Sequence, residues 1–217
     1  ILHYNVCVSV GAGDGPLDVI TEESFDVVTA INLRGAVMAA QHVEPVMRAQ
    51  QSGVLLNVAS MSAIETSSTN VAYRASKAGM IAFTQQFAMR NAEFGVRANA
   101  ILPGRMDTAM AVDTRSRLSG TSRDQILAER RTLTPLRGPA GTGWDIANAA
   151  VFLASDEARL ISSPIRCTNS VVLVPGSTSR QWRGTVMIIQ WQAVSTSSQP
   201  VVTGRPELRS SATISAD

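Results

Sequence analysis

From Gly53 to Ser60 the chain reads G-V-L-L-N-V-A-S, a short apolar run bounded by turn residues. That pattern predicts a buried strand over residues 53–59, of the kind found inside parallel sheets. The period then changes. Between Val71 and Phe94, small and apolar residues (Ala72, Ala75, Ala78, Gly79, Ala82, Phe83, Phe87, Met89) recur at roughly helical spacing, which predicts a single helix. A long helix is predicted over residues 22–50, with Thr21 as its N-cap and Glu22 and Glu23 in a first turn that favours acidic side chains. Residues 106–140, rich in charge and broken at Ser119-Gly120, predict two short helices. Gly141 to Ala154 predicts an amphipathic helix with Trp144, Ile146, Ala147, Val151 and Phe152 on its buried side.

After Leu160 the pattern loses its regularity. Val171 to Val174 is the last predicted strand, and beyond it runs a lysine-free stretch rich in Ser, Thr, Gln and Arg. Its low apolar content predicts partial disorder. The segment V-M-I-I-Q-W-Q-A-V is the exception, either an exposed aggregation-prone strand or a cover for a sheet edge. The chain therefore divides into an ordered part, residues 1–160, and a divergent C-terminal segment, residues 161–217.

Composition narrows the class of function. With 45% hydrophobic and 17% charged residues, 217 residues suit one globular domain. The net charge is +2, the nineteen basic residues are scattered, and no aromatic platform accompanies Arg130-Arg131, so no nucleic-acid partner is expected. No apolar run approaches the roughly eighteen residues of a membrane span, and neither end reads as a secretory signal. Cys7 and Cys167 show no spacing pattern and fit free thiols in a reducing, cytoplasmic compartment. His3 and His42 have no metal-ligand spacing, so no metal is expected.

The candidate chemistry lies in V-A-Y-R-A-S-K-A-G. Tyr73 and Lys77 are four residues apart, just over one helical turn, and project from one face of the predicted helix. A phenol with a pKa of about 10 is a poor acid or base at neutral pH, and a nearby ammonium brings it into a useful range. Ser60 falls at the C-terminal end of the 53–59 strand, where ligands bind in open α/β sheets, and its hydroxyl could bond a substrate oxygen. Taken alone, the three residues read equally as a surface tyrosine, a solvated lysine and a capping serine.

Their setting extends the pattern. N-V-A-S, Y-R-A-S-K, A-I-N-L-R-G and V-R-A-N-A-I-L-P-G-R-M-D-T occur in the order and register of the short-chain dehydrogenase/reductase family, which the chain resembles from about Ile1 to Leu160. The resemblance implies an α/β fold, a Rossmann-like doubly wound parallel sheet, with strands near residues 2–9 and 97–102. It implies an oxidoreductase using NAD or NADP to interconvert a small carbonyl compound and a secondary alcohol. Tyr73 would be the proton donor or acceptor. Lys77 would lower its pKa and hold the nicotinamide ribose, and Ser60 would orient the substrate oxygen. Asn32 would hold a water linking Lys77 to solvent; a helix-surface asparagine is the alternative, less at home between two apolar neighbours. Pro103 and Gly104 would shape the turn over the nicotinamide, or form an ordinary bend. The backbone of Met106 would meet the carboxamide, and Thr108 would lie near the pyrophosphate. Residues 106–140 would cover the substrate, and the long helices with the 141–154 region would build a homo-oligomer, dimer or tetramer.

One part of the family pattern has no counterpart. The family opens with a strand, a T-G-x-x-x-G-x-G turn and a helix that receives the pyrophosphate, and no such segment occurs here. The chain instead starts at what resembles the fourth strand, whose usual N-N-A-G reads Tyr4, Asn5, Val6, Cys7, leaving Asn5 as the cofactor-contact candidate. The sheet is thus expected to be incomplete by three strand-helix units, on the order of eighty residues at about thirty per unit. Gly11, Gly13 and Gly15 do not replace the missing turn: their spacing departs from G-x-G-x-x-G, and a proline follows directly. They read as a flexible loop. The alternative to an active enzyme is a catalytically silent truncated homologue that acts through association.

Overall fold

A computed structural model describes residues 1–65, 69–134, 136–162 and, for the backbone, 165–167. Four strands form one parallel sheet in chain order: β1 (Leu2–Tyr4), β2 (Gly53–Val58), β3 (Val96–Leu102) and β4 (Ile165–Cys167). The centre is the β2–β3 ladder, in register from Gly53 opposite Val96 to Val58 opposite Ile101. Its residues are buried on both sides, as the continuous apolar run implied. Successive side chains alternate between faces. Leu55 and Ala98 pack under Met47 and Phe87, while Val54, Leu56 and Ile101 face Ile146, Ala150 and Leu153. β4 lies where no strand was expected, and the expected Val171–Val174 strand and the tail lie outside the described residues.

β1 is shorter than the expected 2–9 strand. At Val8 the backbone N–H and C=O bond to the Asn32 side chain (2.8 and 2.9 Å) and not to a neighbouring strand. The helix expected over 22–50 is present but interrupted, as α1 (Glu22–Thr29), a π turn (Ala30–Arg34) and α2 (Gly35–Ala49). Thr21 caps it as expected, accepting the Ser24 N–H at 3.1 Å. α3 (Val71–Asn91) is followed by one 3-10 turn and ends at Gly95, whose φ of +69° suits a residue without Cβ. Its inner face is Ala72, Ser76, Lys77, Met80, Ile81, Thr84, Phe87 and Ala88; Ala75, Ala78, Ala82 and Met89 face outward, so the helix is as expected and its buried stripe is rotated.

Among its described residues the 106–140 region contains two short helices, α4 (Thr114–Ser119) and α5 (Arg123–Thr132), the second opened by a Ser122–Gln125 capping box. α6 (Gly143–Ala154) buries Ile146, Ala150 and Leu153, spaced by four and three, whereas Trp144 and Val151 are 79% and 69% exposed. Only Ile146 of the expected inner set is fully buried. Ala147 is half-buried, and the larger side chains stand on the outer face.

Candidate active site

The C-terminal ends of β1, β2 and β3 open into a cleft of about 640 Å³. This is where the polarity of a parallel sheet places ligands. Asn5 and Cys7 line it after β1, Ser60 after β2, and Pro103, Gly104, Met106 and Thr108 after β3, with Tyr73 entering from α3. The turn after β3 is fastened to the Ser60 loop, because the Met61 N–H donates to the Pro103 carbonyl (3.0 Å).

Ser60 and Tyr73 line the cleft together, with the Ser60 hydroxyl near enough to favour the phenolate. The Ser60 oxygen also accepts the Ser62 N–H at 3.1 Å, so its own proton is free to donate toward the phenol oxygen. Burial nevertheless dominates the phenol: it pushes Tyr73 up to about 12, against the lowering effects of Ser60 and the Arg115 charge. Tyr73 is therefore a neutral phenol at physiological pH, with its proton in place.

Lys77 departs from the expected arrangement. It is the only lysine of the chain, 1% exposed, and its Nζ donates to the Val58 carbonyl at 2.6 Å. The ammonium lies 5.7 Å from the Tyr73 ring centroid and sits beneath the cleft wall instead of on it. Burial pushes its pKa down. The expectation that Lys77 lowers the Tyr73 pKa is thus not met in this conformation, since the free carbonyl at the end of β2 captures the ammonium and desolvation governs both groups. For the same reason its Nζ is not presented to the cleft to hold a ribose.

Asn32 is fully buried in the π turn, a local widening of the helix that often accompanies a functional position. Its amide bonds both backbone groups of Val8 and donates to Ser76 Oγ at 3.1 Å. None of these bonds reaches Lys77, so the side chain acts as a clamp between the β1 loop and α3. Met106 also differs from expectation. Its N–H is bonded to Gly104 and its carbonyl accepts from Arg130 Nη2 (3.1 Å), so its backbone polar groups are already engaged. Thr108 accepts the Ala111 N–H at 3.2 Å, starting the turn that leads into α4.

One residue of the site was not found from sequence. Asp14, 6% exposed, accepts the N–H groups of Ala72 (3.1 Å) and Tyr73 (3.0 Å), and the Gly15 carbonyl accepts that of Val71 (3.1 Å). The glycine run expected to be a flexible loop is an ordered turn that caps the helix carrying Tyr73 and places an anion at its positive end. The signal was indirect: α3 begins V-A-Y-R without an acidic residue, and its N-cap Asn70 makes no capping bond of its own. Asp14→Ala is expected to cost about 1–2 kcal/mol, a typical loss for an N-cap side chain, read as a lowered midpoint in chemical denaturation. An unchanged midpoint would remove Asp14 from this role.

Fold and site together define a parallel α/β protein that presents a tyrosine and a serine hydroxyl at its strand ends. The chain belongs to the short-chain dehydrogenase/reductase family: the family model described as enoyl-(acyl carrier protein) reductase matches residues 2–166. It is 32% identical over 163 residues to 2-(R)-hydroxypropyl-CoM dehydrogenase of Xanthobacter autotrophicus, covering 75% of this chain and 62% of that one. Among solved structures, an oxidoreductase of the family from Burkholderia thailandensis superposes with a TM-score of 0.69 at 29% identity, covering 77% of this chain and 62% of its own. A gluconate 5-dehydrogenase candidate from Beutenbergia cavernae, solved with NADP bound at low occupancy, gives 0.66 at 27% identity, covering 75% and 61%. The chain thus spans less than two thirds of the length of these relatives. Among the described residues no helix is long and apolar enough to cross a membrane, and no group of metal-ligating side chains occurs.

Proposed function

We propose that this chain carries the proton-transfer site of an NAD(P)-dependent oxidoreductase that reduces a small carbonyl compound to a secondary alcohol. The observation that carries this reading is the neutral Tyr73 phenol beside the Ser60 hydroxyl on the wall of the strand-end cleft. As the carbonyl carbon is reduced, the oxygen gains negative charge. Ser60 donates a hydrogen bond to it and Tyr73 passes it a proton, the two roles that stabilise such charge most effectively. The phenolate left behind is reprotonated from the cleft, and a pKa above the ordinary value favours that return.

The bound cofactor would supply the hydride. The residues present fit its nicotinamide end: Pro103, Gly104 and Thr108 line the open cleft together with Tyr73 and Asn5. The relative with NADP bound supports a nicotinamide dinucleotide, NAD or NADP. A homo-oligomer belongs to the same reading, supported by the outward Trp144, Val151 and Phe152 of α6. A sedimentation coefficient equal to that of a monomer would remove it.

The test of function is oxidation of NADH or NADPH followed by absorbance with a panel of ketones and oxo acids. Cofactor oxidation that requires the carbonyl compound is expected. Cofactor binding without oxidation by any of them would favour a catalytically silent homologue.

A further inference from the structure

The cleft also carries positive charge that proton transfer does not use. Arg105 after β3, Arg115 on α4 and Arg130 on α5 line it together with Tyr73. The neighbouring carboxylates are largely committed elsewhere: Glu65 pairs with Arg105 (3.7 Å), while Asp107 and Asp113 both pair with Arg123. Among the described residues neither Arg115 nor Arg130 has a carboxylate within ion-pair distance.

Each makes one backbone contact instead. Arg115 Nη1 donates to the Ala111 carbonyl at 3.0 Å and Arg130 Nη2 to the Met106 carbonyl at 3.1 Å. The Nε of Arg130 is buried with no partner among the described residues. A buried donor left without a partner on a half-buried cation is costly, and the fold keeps it beside a like charge. Burial first, then the charges of Arg115 and Arg105, push Arg130 down to about 10, with Asp107 opposing, so it remains cationic at neutral pH. The Arg115 charge also acts on the Tyr73 phenol, which places it within range of the reacting oxygen.

We propose that the substrate carries an oxyanion, and that Arg115 and Arg130 hold it while the carbonyl meets Tyr73, so that the substrate class is an oxo acid. This rests on the reading of Tyr73 given above. A planar guanidinium fork matches a carboxylate with two parallel N–H donors, which supplies both affinity and orientation. The other source of an anion in such a cleft is the cofactor's own pyrophosphate. Its position next to the proton donor, on helices of the covering segment, assigns the pair to the substrate.

The test is calorimetric titration of the chain, without cofactor, with acetoacetate, its neutral ethyl ester and inorganic pyrophosphate. Acetoacetate is expected to bind, with the ester at least about tenfold weaker. Arg115→Met and Arg130→Met are each expected to weaken acetoacetate by about tenfold or more. Arg130→Lys, which keeps the charge but not the fork, should fall between, and it tests the same point if Arg130→Met does not fold. Arg117→Met, at an exposed arginine whose Nη2 contacts Thr114 (3.4 Å), should change nothing. Equal binding of acid and ester, or acetoacetate binding untouched in both Arg115→Met and Arg130→Met, would overturn the proposal. So would pyrophosphate that needs these arginines while acetoacetate fails to bind. Because no cofactor is present, a negative turnover assay leaves this result intact, and anion binding without turnover would count against the redox reading alone.

Discussion

Exchanging Lys77 for methionine is expected to make the fold more stable while leaving the Tyr73 phenol neutral. The ammonium is 1% exposed and, among the described residues, donates a single hydrogen bond, to Val58. Replacing a poorly compensated buried charge by an apolar side chain of similar length is often stabilising, here by about 1 kcal/mol or more, even after the Val58 carbonyl loses its donor. The sign has a pH signature. Burial lowers the Lys77 pKa from 10.5, so the cost of the charge is full below the folded-state value, shrinks as pH rises and is gone above 10.5. The advantage of Lys77→Met should therefore be greatest at low pH and vanish in alkali. Turnover within a few-fold of wild type is expected, since Nζ is bonded to Val58 beneath the cleft wall and burial, not the Lys77 charge, governs the phenol. A variant less stable than wild type at neutral pH would show that the lysine is well compensated. A fall in turnover of about a hundredfold or more would return Lys77 to the chemistry.

Tyr73→Phe is expected to lower turnover by about a hundred- to ten-thousandfold, the usual contribution of a positioned general acid. The rest of the protein should hardly notice. Phenylalanine keeps the ring on α3 and gives up one hydroxyl contact with Ser60, worth about 1 kcal/mol. Cofactor affinity, measured separately by calorimetry, should stay within a few-fold of wild type. Loss of affinity in parallel with turnover would make Tyr73 a binding residue, and surviving turnover would place the proton donor elsewhere.

Much of the scaffold was legible because its signals are local. The apolar run before Ser60 and the helical spacing after Val71 gave β2 and α3 nearly to the residue, and the four-residue separation brought Tyr73 and Lys77 to one helix. What failed was orientation and partnership. The outer face of α6 carries Trp144, so counting apolar side chains misjudged which stripe is buried. Lys77 turns to Val58, a backbone acceptor that no sequence pattern marks. Asp14 binds a helix start 58 positions away, and the Arg115–Arg130 pair depends on how α4 and α5 fold over the cleft. Such contacts are set by tertiary packing, which local spacing does not encode.

The central claim, that Tyr73 stands in the cleft as a neutral proton donor, is open to direct titration. The chain has two tyrosines, so a Tyr4→Phe background isolates Tyr73, whose phenolate can be followed by ultraviolet absorbance as pH rises. A folded-state pKa raised from 10.0 to about 12 also means that Tyr73 contributes stability below pH 10 that is lost as pH climbs toward 12, so circular dichroism must accompany each point. The expected result is a midpoint well above that of free tyrosine, near 12 or cut short by unfolding. A midpoint at or below 10.0 in the folded protein would contradict the account, because the phenol would then be solvated or governed by the Lys77 charge.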